Sequence, residues 1–373
     1  MTNIQTLPGL IDCHVHFREP GFEQKGTLTS ETIAARKGGV TTVCEMPNTN
    51  PPTTTISALK DKVERARNVE DSDIRFFFGV TNDVHLKELE ELWTNMSHAE
   101  IRSRCPGVKL YLDHSTGNQK VDGAIVQDVF RICAGLNIPI VAHCEDPETN
   151  VCDPRRPPES EERSIYNAVE RTKMFGTHLH IAHLSTKQGL ELIRQAKHDE
   201  LSITCEAAPH HLFLSFEDEE KLGAFGKMNP PLRSLDHQEA LWEGVLDRTI
   251  DCIATDHAPH TIDEKKSENP PKGVPGVETL LPLLLTVVAG YWPGSKLLTT
   301  HYSLQTRDIE RLCFENPNRI FRLGKKKDEW QVDVDMDMEW IIRGKDLHSK
   351  CGWTPYEGLT VKGMVMKVSK NSS

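Results

Sequence analysis

Eight short β-rich runs alternating with segments of helical period predict an α/β chain folded as a (β/α)8 TIM-type barrel. Two further observations support that class. The runs are mostly continuous apolar stretches such as IRFFFGV and IPIVAHC, as parallel strands covered on both faces require. Histidines gather at the ends of these same runs, where a barrel carries its chemistry. A doubly wound open sheet is the structural alternative, but it more often shows a Gly-rich phosphate loop, and the sequence has none.

In chain order the predicted strands cover residues 9–17, 40–47, 74–80, 107–113, 138–144, 178–185, 201–209 and 250–259. Helical period marks residues 53–68, 86–95, 123–136, 164–175 and 187–198. In the third of these, Ile125, Val126, Val129, Phe130 and Cys133 fall on one helical face. Two Pro-rich stretches, DPRRPPES (153–160) and SENPPKGVPG (267–276), read as loops after strand ends. Past Asn318 the alternating run VDVDMDMEWII (332–342) reads as a peripheral strand. The expected division is a barrel over 1–325 and an appendage of strands over 326–373 that packs on it and is not an independent domain.

The chain has 373 residues, 44 Lys plus Arg against 55 Asp plus Glu, and a net charge of −11. That balance, without a basic block, argues against nucleic acid or an anionic membrane as partner. The longest apolar stretch, residues 280–292, is too short to span a bilayer and contains Pro282. No basic or apolar leader opens the sequence. The ten cysteines form no C-x-x-C pair, and Cys13, Cys44, Cys205 and Cys252 sit in apolar runs as small hydrophobes. A soluble protein of a reducing, cytoplasmic compartment is expected.

The first strand ends Asp12-Cys13-His14-Val15-His16. Residues i and i+2 share a strand face, so the two imidazoles converge as metal ligands do, although H-x-H alone is a weak signal. Lys109 lies amid apolar neighbours; it either snorkels to a carboxylate or is desolvated into a neutral amine able to capture CO₂ as a carbamate. His143 and His183 close two further strands, and Asp256 stands at the end of the eighth. Singly, each fits a packed or capping role. Together they place two His, a Lys, a His, a His and an Asp at one barrel face, which favours a metal site.

The order H-x-H, strand Lys, His, His, Asp resembles the amidohydrolase superfamily of binuclear metal hydrolases. Within it, HVHFREPG (14–21), EMPNTNP (45–51), KLYL (109–112), VAHCE (141–145), CEAAPHHLFL (205–214), KMNPPLR (227–233) and TDHAPHT (255–261) resemble the dihydroorotase family. GWTPYEG and VKG (352–363) are similar to the end of the dihydroorotase domain in the animal multifunctional pyrimidine enzyme.

The resemblance implies that His14, His16 and Asp256 hold one metal and His143 and His183 a second, with carboxylated Lys109 and a hydroxide bridging them. Zn²⁺ is the expected ion, with cobalt, nickel or manganese able to substitute. Asp256 is implied as the catalytic proton carrier. Arg18, Asn48 and His260 are implied to bind a substrate carboxylate, with Asn229 and Arg233 contacting the ring. His210 and His211 are expected to be structural. The implied reaction interconverts N-carbamoyl-L-aspartate and L-dihydroorotate in pyrimidine biosynthesis, in a homodimer whose partner is this small molecule. The loop DHSTGNQ after Lys109 departs from the animal pattern, and in it Ser115 and Thr116 can donate hydrogen bonds. The short N-terminus suggests that a β-sandwich seen in relatives is here reduced to the C-terminal strands. The competing enzyme class is another cyclic amide hydrolase (hydantoinase, dihydropyrimidinase or allantoinase), for which a carboxylate clamp has no use. A non-catalytic scaffold relative is a third reading, disfavoured because all six ligand positions are filled.

Overall fold

The computed structural model describes residues 3–114, 119–294 and 303–371. Its twelve strands are β1 (Ile4–Pro8), β2 (Leu10–Val15), β3 (Val40–Glu45), β4 (Asp73–Phe76), β5 (Phe78–Gly79), β6 (Val108–Tyr111), β7 (Ile140–His143), β8 (Leu179–Ile181), β9 (Ile203–Ala207), β10 (Cys252–Ile253), β11 (Trp330–Ile341) and β12 (Thr360–Lys370). The (β/α)8 barrel wall is β2 through β10, all parallel, with a strand in each of the eight predicted places. The predicted third strand is broken at Phe77: β4 pairs with β3, and β5 pairs with β6. The hydrogen-bond ladder is therefore two sheets and not one continuous ring. At Phe77 they are joined by its N–H on the Glu45 carbonyl at 2.9 Å. At the other seam, first strand meets eighth through the parallel bridge Val15–His257, with His16 N–H on the His257 carbonyl at 2.7 Å.

Inside the wall Ile11, Cys13, Cys44, Met46, Phe77, Val141, Ala182, Cys252 and Ala254 form a small core that Phe314 and Phe321 help close. A larger apolar layer lies between strands and helices, for instance Val129 and Phe130 of helix Val126–Gly135. The predicted helical segments form Ile56–Ala66, Asp83–Thr94, Val126–Gly135, Pro158–Phe175 and Lys187–His198. The fourth starts six residues early, because Pro158 suits a first helical turn, so the expected loop ends before 158. Among the described residues three helices of nine or more residues lie outside the predicted segments: Leu28–Lys37, Leu235–Leu246 and Leu280–Val288. The last is the apolar stretch with Pro282; it is buried, and its Thr286 Oγ1 accepts the Lys362 N–H of β12 at 2.8 Å. Among the described residues no helix is long and apolar enough to cross a membrane.

The 332–342 run is a strand, as its alternation suggests, and it pairs with β12. The small sheet is not built from C-terminal strands alone. β1, just ahead of the first barrel strand, pairs antiparallel along it from Ile4–Asp335 to Pro8–Gln331. Its Leu7 and Pro8 are buried while Ile4 is exposed, a half-buried pattern too short to read from sequence.

Candidate active site

His14 is the last residue but one of β2, inside an irregularity in the pairing with β3 between Asp12 and Val15, and His16 follows the strand's end. Both rings are buried and both are oriented from behind. His14 Nδ1–H donates to Glu206, and His16 Nδ1–H donates to Asn48 Oδ1 at 2.5 Å. That leaves the Nε2 lone pairs facing inward, at 3.3 Å and 3.0 Å from the same Asp256 oxygen. His143 Nε2–H donates to Glu145 at 2.8 Å, and its Nδ1 faces His183 Nε2 at 3.0 Å. Lys109 Nζ and His183 Nδ1 are buried with no hydrogen-bond partner.

Three of these residues hold left-handed backbone: Arg18 at φ 73°, His183 at 37° and Asp256 at 47°. Non-glycine residues seldom adopt it, and where they do the surrounding fold is holding a side chain in place.

One small cavity gathers His14, His16, Arg18, Asn48, Lys109, Tyr111, His143, His183, Asn229, Asp256 and His260's neighbours Ala258, Lys272 and Gly273. All six predicted metal ligands line it. Arg18 Nε donates to the Pro259 carbonyl at 3.0 Å and its Nη2 lies 3.1 Å from His260 Nε2. Asn229 Oδ1 is buried without a partner. Arg233 does not line this cavity; it lines a larger neighbouring one, held by Ser185 Oγ at 3.1 Å and the Arg156 carbonyl at 2.6 Å. His211 is fixed by the Pro230 carbonyl at 3.1 Å, and His210 Nε2 is buried and unpaired. Ser115 and Thr116 lie outside the described residues.

The electrostatics follow from burial. Desolvation pushes the Lys109 ammonium down to about 8 and the His16 imidazolium down to about 4. Burial opposes a charge on Asp256, yet His14, His16 and His183 around it hold its carboxyl well below the usual range. An ionised carboxylate thus confronts two imidazole lone pairs. Acceptors converging in this way repel one another unless a cation lies among them. The ligand atoms of His14, His183 and Asp256 all fall within 4.8 Å of one another, so the donor set fits a divalent metal. A second set, Cys13, His180 and Glu206, is already tied together, His180 Nε2 to Glu206 at 3.1 Å and Cys13 Sγ to Glu206 at 3.5 Å.

Several residues that shape the site were not singled out in the sequence. Glu206 orients His14; its signal was a glutamate inside the apolar strand ITCEA. Glu145 orients His143 and is paired in turn with Arg156, which together carry its carboxyl down to about 2 against burial. Tyr111 shares its strand face with Lys109, and its hydroxyl is buried in the cavity wall without a partner.

Residues 5–150 match the family described as Dihydro-orotase-like. The chain is 39% identical to the dihydroorotase of Halobacterium salinarum over 373 residues, covering 95% of this chain and 82% of that protein. The chain belongs to the dihydroorotase family. It is accordingly a cyclic amide hydrolase, and a dihydroorotase by the sequences it matches at 34–39% identity. It is also 38% identical to the multifunctional protein CAD of Squalus acanthias, over 97% of this chain but 14% of that protein. In fold it is similar to an L-hydantoinase (dihydropyrimidinase) from Arthrobacter aurescens, with a TM-score of 0.87, 24% identity and coverage of 99% of this chain and 84% of that one. That likeness bears on the barrel and not on the substrate, so the dihydroorotase family resemblance carries the chemistry.

Proposed function

We propose that the chain interconverts N-carbamoyl-L-aspartate and L-dihydroorotate, with two divalent cations bound in the cavity that His14, Lys109 and Asp256 line. His14, His16 and Asp256 would hold one cation, and His143 and His183 the other. Lys109, carboxylated on Nζ, would bridge them. The observation that carries this reading is the unpaired, desolvated Lys109 amine amid converging lone pairs. A neutral amine adds CO₂ and releases a proton, giving an anion with two oxygens. When bound, the cations, Zn²⁺ first, supply a water acidic enough to attack at neutral pH and a Lewis acid for the amide carbonyl.

The residues of the chain do the rest. Asp256 Oδ1 takes up the proton released on attack and returns it to the departing ring nitrogen. In the reverse direction it removes the proton of the carbamoyl nitrogen as the ring closes. The Arg18 guanidinium, steadied through Nε on the Pro259 carbonyl, presents its remaining donors to the substrate carboxylate. Asn48 acts first on His16, to which it is bonded, and from that position it borders the same clamp. Asn229 and the Tyr111 hydroxyl are the unpaired polar groups that the ring can satisfy. Arg233 supports the wall from the adjacent cavity.

The clamp separates this reading from a hydantoinase-like one. A neutral ring offers nothing to a guanidinium that is 3% exposed. We further propose a cytoplasmic homodimer, which the ten unpaired cysteines suit, with 326–373 as an appendage of the 1–325 barrel. The appendage reading is supported by the pairing of β1 with β11 and by Ser349 Oγ and Lys350 N–H on Glu31, at 2.6 Å and 3.1 Å. The deciding experiment is metal analysis of the purified chain with assays in both directions on dihydroorotate and on dihydrouracil. Turnover of dihydroorotate alone supports the reading; equal turnover of both replaces it with the hydantoinase-like one.

A further inference from the structure

Lys265 closes the short helix Ile262–Lys265 that follows the site segment 256–260, and it is fully buried. Its ammonium has no carboxylate partner among the described residues. Instead Nζ donates to three carbonyls, Pro271 at 3.0 Å, Gly273 at 3.1 Å and Lys227 at 3.3 Å. It also lies 5.4 Å from the centre of the Trp353 ring. Trp353 belongs to the GWTPYEG segment, for which the reaction has no other use, and its indole N–H donates to the His260 carbonyl at 2.7 Å. The three carbonyls are not scattered: Gly273 N–H is bonded to the Lys227 carbonyl at 3.0 Å, and Lys272 and Gly273 line the catalytic cavity. A buried, unpaired ammonium is costly unless fixed dipoles replace its water. Here those dipoles are the backbone of the cavity rim.

His260 shows what the arrangement achieves. The Lys25 ammonium lies 3.2 Å from His260 Nδ1 and can only donate to it. The proton of the neutral ring therefore sits on Nε2, 2.9 Å from the Lys272 carbonyl, which accepts it. Arg18 Nη2 is 3.1 Å from the same Nε2 but cannot donate to a nitrogen that already bears hydrogen. Its Nη2–H groups stay free for an anion. Were the Lys272 carbonyl displaced, His260 could turn its lone pair to Arg18 and consume that donor.

We infer that Lys265 and Trp353 are positioning residues of the carboxylate clamp: they lock the 271–273 backbone and the His260 carbonyl, and so hold His260 in the tautomer that leaves Arg18 available. This rests on the reading of Arg18 and His260 as the clamp. The test uses the metal-loaded full chain and the variants Lys265→Met and Trp353→Phe, the second keeping a ring while losing the N–H. In each, KM for dihydroorotate should rise about 10-fold with kcat within about 2-fold of wild type, the signature of lost binding common to ground and transition states. Nitrogen-15 spectra of histidine-labelled protein without substrate should show His260 protonated on Nε2 in wild type and a mixture of tautomers in Lys265→Met. Unchanged KM with an unchanged His260 tautomer in either variant overturns the inference. So does a fall in kcat at normal KM. If Lys265→Met does not fold, Trp353→Phe decides by the same measurements. A wild-type chain inactive on dihydroorotate defeats the functional reading instead, and the substrate-free spectra still judge the positioning claim.

Discussion

His143 Nδ1 and His183 Nε2 face each other at 3.0 Å across the cavity floor. Glu145 takes the other N–H of His143, so the nitrogen turned to His183 is a lone pair, ready for a cation. Protein stripped with a chelator should take up two equivalents of Zn²⁺, and His143→Ala or His183→Ala about one. Calorimetric titration and elemental analysis check this, and full stoichiometry in either variant would contradict the ligand assignment.

Lys109 should be carboxylated. Burial lowers its ammonium to about 8, which leaves a usable neutral fraction at physiological pH. Lys109→Ala should lose both metal and turnover, and short carboxylic acids should partly restore them by supplying two oxygens in the vacated space. Carbon-13 bicarbonate should label the wild-type side chain. A free amine in a fully metallated, active enzyme would end the idea.

Asp256→Asn keeps an oxygen beside His14 and His16 but removes the base. Metal content should be retained while turnover falls at least ~10²-fold. Near-normal turnover would reassign the proton to another group.

Arg18→Met should spare the metal site and damage recognition of the acid. An unmatched carboxylate entering a closed cavity costs about 2–4 kcal/mol, or ~30- to 1000-fold in kcat/KM. Lysine should not rescue it, because an ammonium cannot reproduce two parallel donors. Steady-state kinetics on dihydroorotate decide the matter.

Glu161 supplies a pH test of stability away from the metal ligands. Its carboxylate accepts the Ser185 N–H at 3.0 Å, and burial raises it to about 7. The folded state therefore keeps a proton that the unfolded chain, near the ordinary 4.5, releases. Stability attributable to this group is present below pH 4.5 and is lost as pH rises to about 7, on the order of 3 kcal/mol in all. Denaturant midpoints of metal-free Glu161→Gln should gain on wild type between about pH 5 and about pH 8. Parallel pH profiles would refute it.

Much of this architecture could be read from residue order, because period-2 and period-3.6 patterns and strand-end histidines are local signals. The six residues proposed as ligands, all of which line the cavity, are visible for that reason. What escaped depends on distant pairings. Glu206 reaches His14 across 192 positions, and Trp353 reaches His260 across 93, with nothing in either neighbourhood to announce the partner. β1 was missed because five residues carry too little alternation, and helix Leu280–Val288 because it is buried all round and shows no polar face. Arg233 is grouped with ring contacts by its place in KMNPPLR, yet of that segment only Asn229 lines the catalytic cavity, and Arg233 lines the neighbouring one.

The seam between the first and eighth strands also orders events in time. Asp12 receives the Thr255 N–H across 243 positions, so the cavity has no complete wall until the segment that carries Thr255 has followed the first strand out of the ribosome. His14 and His16 emerge ahead of Asp256 and wait for it. A nascent chain halted short of that residue has its imidazoles but no enclosure, and the proposed metal centre is complete only as the circle shuts.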